Sequence, residues 1–394
     1  MSTILSAGWV VPVEGPPIRD GRVAVEDGLV AWVGGPSDPG APDGGKVDLG
    51  RGVLLPGLVN AHCHLELSHL RGRLQRGRGF AQWVEELVAL RAADGPGAVR
   101  AAAARAIREV QGTGTVAIGD VSNDLAHLDL LAGSPLSAVV FHELLGWNPA
   151  RAAVIAESAD ARRLGPVAAR VEVRLAAHAP HSVSPALLAE IVKRGGPAAI
   201  HLAESAEESR FLLRGDGAWQ RFLDRRGLGD LPFDAPGLSP VRYLDDLGAL
   251  RPGLVAAHCV YVDDADRARL AAQGVHVAVC PRSNLNLGVG IPDVPALLAA
   301  GVRLCLGTDS LASVDSLDLA EDMAALRREF PELHPAVIVE MATAGGARAL
   351  GLSGLGAIAP GMRADLVYAP ADRAPDDPAA FLVSGDARPR RVDA

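Results

Sequence analysis

The stretch Pro56-Gly57-Leu58-Val59-Asn60-Ala61-His62-Cys63-His64 decides the fold class that this sequence predicts. A short apolar run is followed directly by two histidines two positions apart, which is typical of a buried parallel strand whose carboxyl end carries polar groups. Side chains two apart on a strand project to the same side, so His62 and His64 face one direction where the strand ends. The stretch therefore predicts a strand that ends at a functional site.

Seven further strand candidates follow, separated by Ala-, Leu- and Arg-rich stretches of helical periodicity. Including the first, the candidates are Leu58–His62, Thr115–Asp120, Ala138–Leu144, Val173–His178, Ala198–Leu202, Leu254–His258, His276–Cys280 and Arg303–Gly307. Apolar strands that alternate with helices form a parallel sheet buried on both faces, and eight such units close a TIM barrel. We therefore predict an α/β protein with a (β/α)8 TIM barrel over residues 56–350.

The two ends of the chain have a different pattern. Residues 1–55 contain short strand candidates between turns, with Asp27-Gly28 as a hairpin signal. Residues 351–394 contain a Pro360-Gly361 turn and the apolar run Leu366-Val367-Tyr368. Because strands need partners, we expect the two ends to form the N-terminal and C-terminal parts of one small β-sandwich domain.

The composition indicates a globular, acidic protein. The chain has 394 residues, 49% of them hydrophobic, and a formal net charge of −9. This charge argues against a nucleic-acid partner, and no apolar run approaches the roughly 20 residues of a membrane span. The four scattered cysteines do not form a disulfide framework, and the first residues do not resemble a signal peptide. We expect a cytoplasmic protein with a small-molecule partner and the possibility of a homo-oligomer.

Polar residues collect at the predicted strand ends, where a barrel places its active site. Six of the eleven histidines lie there, namely His62, His64, His178, His181, His201 and His258. One histidine at such a position is usually a core residue, but six at equivalent positions indicate function. Glu204 and Asp309 follow the fifth and eighth strands.

These residues predict a metal centre. Two imidazoles from His62 and His64, a third from His201 and the carboxylate of Asp309 would leave room for a water molecule. Neutral imidazole and carboxylate ligands suit Zn²⁺, although Fe²⁺ or Mn²⁺ accept the same donors. Such an ion lowers the pKa of a bound water from 15.7 to about 7.

Taken in order, these motifs resemble those of the amidohydrolase superfamily. The resemblance covers roughly residues 50–368 and rests on Pro56–His64, His201-x-x-Glu204, His258, Gly307-Thr308-Asp309-Ser310 and Pro360–Leu366. It implies a distorted (β/α)8 barrel with a composite β domain built from both termini.

The resemblance also bears on the number of metal ions. Members with two metals usually bridge them with a carboxylated lysine at the end of strand four. This chain has His178-Ala179-Pro180-His181 there, and neither Lys46 nor Lys193 is near. Glu143, which ends strand three, is an alternative bridge, but we expect it to support a ligand or contact the substrate. One divalent ion per chain is the expectation.

The pair His201-x-x-Glu204 resembles adenosine-, cytosine- and S-adenosylhomocysteine-deaminase-like enzymes, and this resemblance implies the catalytic roles. Asp309 binds the metal and takes a proton from the water. His258 holds and polarises the resulting hydroxide. Glu204 protonates the ring nitrogen beside the attacked carbon and then helps to deliver a proton to the leaving amine. The alternative for Glu204 is an exposed glutamate at the start of a helix.

Four further segments most resemble aminodeoxyfutalosine deaminases: His62–Gly72, Phe141–Glu143, Ala179–Ser184 and Cys280–Asn284. Those enzymes remove the 6-amino group of a purine nucleoside that carries a benzoate, which gives futalosine and ammonia in menaquinone biosynthesis. We expect Arg282 to bind the benzoate carboxylate, since a guanidinium pairs with it through two parallel hydrogen bonds. Arg71, Arg73 and Arg210 compete for this role. Glu66 and His178 are expected to contact the base or the ribose.

Other functions stay open on the sequence alone. Within the same branch, the substrate alternatives are S-adenosylhomocysteine, methylthioadenosine and guanine, with a triazine-type chlorohydrolase as a more distant one. Outside enzymes, the alternatives are a non-catalytic structural barrel and a binding module for acidic small molecules. The intact set of predicted ligands argues against the structural barrel. A binding module has no need for Glu204 and His258 together.

Overall fold

The computed structural model describes residues 2–40, 42–75, 77, 79–160, 164–231 and 233–392. The strands are β1 (Thr3–Ser6), β2 (Trp9–Val10), β3 (Ile18–Arg19), β4 (Arg22–Glu26), β5 (Leu29–Gly34), β6 (Gly45–Asp48), β7 (Val53–Pro56), β8 (Leu58–Cys63), β9 (Thr115–Ser122), β10 (Ser137–Leu144), β11 (Gly165–Ala168), β12 (Val171–Ala177), β13 (Ala199–Leu202), β14 (Val255–His258), β15 (His276–Val279), β16 (Arg303–Leu306), β17 (Leu366–Ala369) and β18 (Arg390–Arg391).

The helices are α1 (Phe80–Ala93), α2 (Pro96–Gly112), α3 (Leu128–Ala132), α4 (Ala152–Asp160), α5 (Pro185–Lys193), α6 (Ala206–Arg214), α7 (Ala218–Arg225), α8 (Pro240–Asp246), α9 (Asp264–Ala272), α10 (Pro281–Leu287), α11 (Val294–Ala299), α12 (Leu319–Glu329), α13 (Pro335–Glu340), α14 (Gly346–Leu350) and α15 (Pro378–Leu382). Two 3₁₀ turns, Leu65–Leu70 and Pro149–Arg151, and a π turn, Met341–Gly345, complete the set among the described residues.

The parallel strands form a closed barrel. One sheet contains β8, β9, β10 and β12 side by side, and a second contains β13 to β16 in order. The sheets join where the Ala198 N–H donates to the Leu175 carbonyl at 2.7 Å. The ring closes where the N–H groups of Thr308 and Asp309 donate to the carbonyl of His62. The predicted (β/α)8 barrel is confirmed, and register shifts between β8 and β9 show where it is distorted.

The predicted barrel strands lie within one or two residues of those observed. The first was expected over Leu58–His62 and extends to Cys63, while the last was expected to reach Gly307 and ends at Leu306. The sequence analysis missed β11, which runs antiparallel to β12 at the sheet edge. This strand is partly exposed, so it lacks the continuous apolar run that marked the others.

Strands from both ends of the chain form two further sheets. The first has the order β18-β17-β7-β2-β3, in which Leu366–Ala369 pairs antiparallel with Val53–Pro56. The second has the order β5-β4-β1-β6. Leu5, Val23 and Leu54 pack together in the shared core of these sheets. The expected pairing of the two ends is present, although α15 instead contributes Leu382 to the barrel core.

Gly57 links this β domain to the barrel. A Cβ at this position would lie 2.3 Å from Val116 in β9, too close for any side chain. The absence of a side chain therefore lets the chain pass directly from β7 into β8 and bring His62 and His64 to the barrel mouth. Among the described residues, no helix combines the length and apolarity needed to cross a bilayer.

Candidate active site

Three histidines and one aspartate converge at the carboxyl ends of the barrel strands. The Nε2 atom of His64 lies 3.3 Å from Nε2 of His62, 3.2 Å from Nε2 of His201 and 3.5 Å from Oδ1 of Asp309. All four residues are buried. The sequence analysis named this group, and the structure brings it together from β8, β13 and the turn after β16.

The group has the chemistry and spacing of a metal site. In a tetrahedral site with metal–nitrogen bonds of about 2.0–2.1 Å, ligand atoms lie about 3.3 Å apart, which matches the distances from Nε2 of His64 to Nε2 of His62 and of His201. Burial lowers the pKa of His64 to about 3 and that of His201 to about 4, so both rings are neutral at pH 7 and can ligate. The residues present therefore fit a divalent ion.

The ring of His201 is oriented by its other nitrogen. Its Nδ1 donates to the His178 carbonyl at 2.9 Å and lies 3.4 Å from Oε1 of Glu143. Asn123 donates to the other oxygen of Glu143 at 2.9 Å. Such contacts fix the tautomer and direction of a metal-binding histidine. The structure therefore places Glu143 next to the candidate ligand His201 and in the lining of the cavity described below.

Asp309 is held in a conformation that few non-glycine residues adopt. Its φ angle is 62°, in the left-handed region, and the hydroxyls of Ser283 and Ser313 donate to its Oδ2. Backbone strain of this kind persists where the surrounding structure fixes it, and it is common at functional sites. With Oδ2 engaged in this way, Oδ1 faces the histidines.

His258 and Glu204 form a second pair beside the cluster. His258 Nδ1 bonds to Asn284 Oδ1 at 2.7 Å, which leaves Nε2 as an acceptor 3.6 Å from Oε1 of Glu204. Burial raises the pKa of the Glu204 carboxyl well above its usual value, and the negative charges of Asp309 and Glu208 raise it further. Burial lowers the pKa of His258. These shifts favour the protonated form of the Glu204 carboxyl and the neutral form of the His258 imidazole, a combination suited to general acid–base chemistry.

Glu204 is not the exposed helix-start residue of the alternative interpretation. It is only 5% exposed and lies in the turn before α6. Its burial next to His258 is what distinguishes it from the neighbouring Glu207, which is half-buried in the first turn of the helix.

A cavity of about 190 Å³ opens above the cluster. Its lining includes the polar side chains of His64, His201, His258, Glu204 and Asp309. The part of the lining that α1 and α7 contribute is largely apolar. One face of α1 lines the cavity with the side chains of Phe80, Trp83, Val84, Leu87, Val88 and Arg91. Trp219 and Phe222 of α7 complete this part of the lining, and Trp219 packs edge-on against Phe80 at 6.0 Å.

The predicted substrate contacts Glu66 and His178 both line the cavity. Glu66 Oε1 accepts from Arg91 at 2.7 Å, while Oε2 accepts from the Ser122 hydroxyl at 2.7 Å and from the Asn123 N–H at 2.9 Å. Both oxygens are therefore engaged, and in this structure Glu66 orients Arg91. His178 bonds through Nδ1 to Ser182, and burial lowers its pKa to about 4.

The predicted substrate contact Arg282 is bonded to other protein groups in this structure. Arg282 does not line the cavity. Its guanidinium instead bonds Asp322 at 3.0 and 2.7 Å, Glu321, and the hydroxyl and carbonyl of Ser316. The next two positions of the same segment contact the site, since Ser283 donates to Asp309 and Asn284 bonds to His258.

The competing arginines are also outside the cavity lining. Arg71, Arg73 and Arg210 pair at the surface with Glu109, Asp94 and Asp216 respectively. Arg91 is the one arginine or lysine among the described residues that line the cavity. The sequence analysis did not name Arg91: the spacing places Phe80, Leu87 and Arg91 on one helix face, but it does not show that this face lines a cavity.

Comparisons with known proteins agree with this fold. The sequence pattern described as "Amidohydrolase family" matches residues 53–392. A 5-methylthioadenosine/S-adenosylhomocysteine deaminase of Pelotomaculum thermopropionicum is 30% identical over 387 residues, covering 93% of this chain and 84% of the relative. An aminodeoxyfutalosine deaminase of Deinococcus radiodurans is 36% identical over 318 residues, covering 76% of this chain and 73% of the relative. The structure of Helicobacter pylori aminofutalosine deaminase in complex with methylthio-coformycin superimposes with a TM-score of 0.85 at 23% identity. The superposition covers 99% of this chain and 100% of that structure.

Proposed function

We propose that this chain, which belongs to the amidohydrolase family, is an aminohydrolase that converts aminodeoxyfutalosine to futalosine and ammonia. The broader assignment is a deaminase of adenosine-like nucleosides, in line with its relatives. One observation carries the reaction type: the buried Glu204 carboxyl lies 3.6 Å from His258 Nε2, beside the cluster of metal-binding residues. A protonated acid at this place can donate to a ring nitrogen.

His62, His64, His201 and Asp309 would hold one divalent ion, and the three imidazoles with one carboxylate suit Zn²⁺. Such an ion, when bound, supplies an activated water near pH 7. Asp309 would accept the proton that the water loses. Neutral His258 would then orient the oxygen towards carbon 6 of the purine through its free Nε2.

Glu204 would carry the proton between ring nitrogen and leaving group. Because burial raises the pKa of its carboxyl well above the usual value, the protonated form is favoured and can donate to the purine nitrogen beside carbon 6 as the oxygen attacks. The resulting carboxylate would take up the proton of the new hydroxyl group and pass it to the amino group, which leaves as ammonia as the 6-oxo group forms. The proton held by Asp309 would then return Glu204 to its protonated form. General acid–base groups of this kind contribute about 10²–10⁴-fold each.

The cavity wall supports a substrate with an apolar or aromatic 5′ substituent. The stripe on α1 and the rings of Trp219 and Phe222 offer a surface against which a benzoate ring can pack. We infer that Arg91, oriented by Glu66 and Asn123, meets the carboxylate in place of Arg282. Methylthioadenosine is the second candidate, since its methylthio group also suits an apolar wall.

The substrate proposal is tested by measuring ammonia release from aminodeoxyfutalosine, methylthioadenosine, S-adenosylhomocysteine and adenosine by the metal-loaded protein. We expect the highest kcat/KM for aminodeoxyfutalosine. A higher kcat/KM for methylthioadenosine would make methylthioadenosine the substrate in place of aminodeoxyfutalosine, and the assignment as a deaminase would still hold. If none of the four nucleosides releases ammonia, both the substrate proposal and the deaminase assignment are contradicted.

A further inference from the structure

The carboxyl group of Glu208 lies beneath the turn that carries Glu204. Its Oε1 accepts the N–H of Ala203 at 3.1 Å, and its Oε2 accepts the N–H of Glu204 at 3.0 Å. Glu208 is completely buried. One side chain therefore binds two consecutive peptide groups of the segment between β13 and α6.

This arrangement differs from an ordinary helix cap. Ser205 is the N-cap of α6 and accepts the N–H of Glu208 at 3.2 Å. In a capping box the acidic residue at the third helical position would bond back to the N-cap N–H. Here the side chain of Glu208 extends one and two residues further, to the peptide groups of Glu204 and Ala203.

The turn needs such support because its backbone is strained. Ala203 has a φ angle of 50°, which non-glycine residues rarely adopt. Conformations of this kind persist only where several contacts fix them. The carbonyl of Ala203 also accepts the N–H of Tyr261, so the peptide is held from both sides.

We propose that Glu208 is a positioning residue that holds the Glu204 carboxyl opposite His258. This inference rests on the proposed role of Glu204 as the proton carrier. Without the two hydrogen bonds, the strained turn could relax, and the Glu204 carboxyl would lose its fixed distance to His258. Glu208 itself lies under the turn and does not line the substrate cavity.

The charge of Glu208 gives the inference a second, measurable consequence. The Glu204 carboxyl faces Asp309 and His258 as well as Glu208, and the negative charge of Glu208 is one cause of its raised pKa. Glu208 faces His181, whose Nδ1 is 4.0 Å away, and the buried thiol of Cys259. Burial raises the pKa of Glu208 to about 7, although the two peptide N–H groups act against this. Removing its charge should lower the pKa of Glu204.

The test compares Glu208→Gln with Glu207→Gln, which removes the same charge from the half-buried neighbour in the same helical turn. Glutamine at 208 keeps one acceptor oxygen but faces the other N–H with a donor, so one supporting bond is lost. We expect kcat to fall by about 10- to 100-fold with little change in KM, because a buried unpaired donor is strongly unfavourable. The alkaline limb of the kcat profile should move to lower pH. Glu207→Gln should match wild type in kcat, in KM and in the pH profile of kcat.

Metal content and urea unfolding of each variant establish that it is folded and loaded. A folded, metal-loaded Glu208→Gln protein with wild-type kcat and pH profile would overturn the inference. If Glu208→Gln does not fold, Glu208→Asp provides the same test, since the shorter carboxylate cannot reach both peptide groups, and a wild-type kcat would overturn the inference. Glu204→Gln in the same assay separates the two proposals, because activity in that variant refutes the role of Glu204 itself.

Discussion

At the scale of single residues, burial distinguishes Glu204, the proposed proton carrier, from its neighbour Glu207. Glu204 and Glu207 are three positions apart, yet only Glu204 is buried against a histidine. Glu204→Gln should therefore retain the metal but lose about three orders of magnitude in turnover, equivalent to about 4 kcal/mol of barrier. For wild type, kcat should fall as pH rises through the raised pKa of Glu204, since the donated proton is then lost. Turnover of the variant close to wild type would contradict this role.

Arg282 has a structural role that substitution can measure. Asp322 is completely buried, and burial raises its pKa to about 6 even though Arg282 pairs with it. Arg282→Met would leave this carboxylate unpaired and should destabilise the fold by about 3–5 kcal/mol. Arg210→Met, which breaks the exposed pair with Asp216, should leave stability nearly unchanged, because solvent screens that pair. Urea unfolding measures both, and equal stability of the two variants would contradict the assignment.

Arg91 should determine selectivity where Arg282 does not. Arg91→Met should lower kcat/KM for aminodeoxyfutalosine by about 10- to 100-fold, because a hydrogen bond to a charged group is worth about 1.5–3 kcal/mol. Adenosine, which has no carboxylate, should be affected much less. Equal losses on both substrates would mean that Arg91 acts on the shared nucleoside or on the fold.

At the scale of helices and strands, close packing of β7, β8 and β9 fixes where the histidines emerge. Gly57→Ala would place a methyl group 2.3 Å from Val116 and should destabilise the protein by about 1–3 kcal/mol through overpacking. Gly112→Ala is the control, since nothing lies within 4 Å of its Cβ position in α2. It should leave thermal unfolding unchanged or raise the midpoint slightly. A similar midpoint for both variants would contradict the packing argument.

The strands could be predicted from sequence because a buried parallel strand is a continuous apolar run with a polar end. His62, His201 and Asp309 each follow such a run, so their convergence followed from barrel geometry alone. Arg282 could not be judged in this way, because its partner Asp322 lies forty residues further along the chain. The role of α1 in lining the cavity could not be predicted either, because an apolar helix stripe has the same sequence pattern whether it packs against a core or against a ligand.

At the scale of the whole molecule, the ligand cluster connects distant parts of the barrel. It joins β8 to the turn after β16, where the ring closes, and to β13 on the opposite side. We therefore expect about one divalent ion per chain, and its removal by a chelator should lower the unfolding temperature, because an ion that binds only the folded state stabilises it. Two equivalents in elemental analysis, or full activity of the metal-free protein, would contradict a single-ion site.

The most direct test of the central claim is the ammonia released per mole of aminodeoxyfutalosine, measured in parallel for the zinc-loaded wild type and a zinc-loaded Glu204→Gln variant. The account predicts one equivalent of ammonia and stoichiometric conversion of the 6-aminopurine to the 6-oxopurine by wild type, with turnover nearly abolished in the variant. Absence of ammonia from this and from every other adenosine-like nucleoside at full metal occupancy would contradict it.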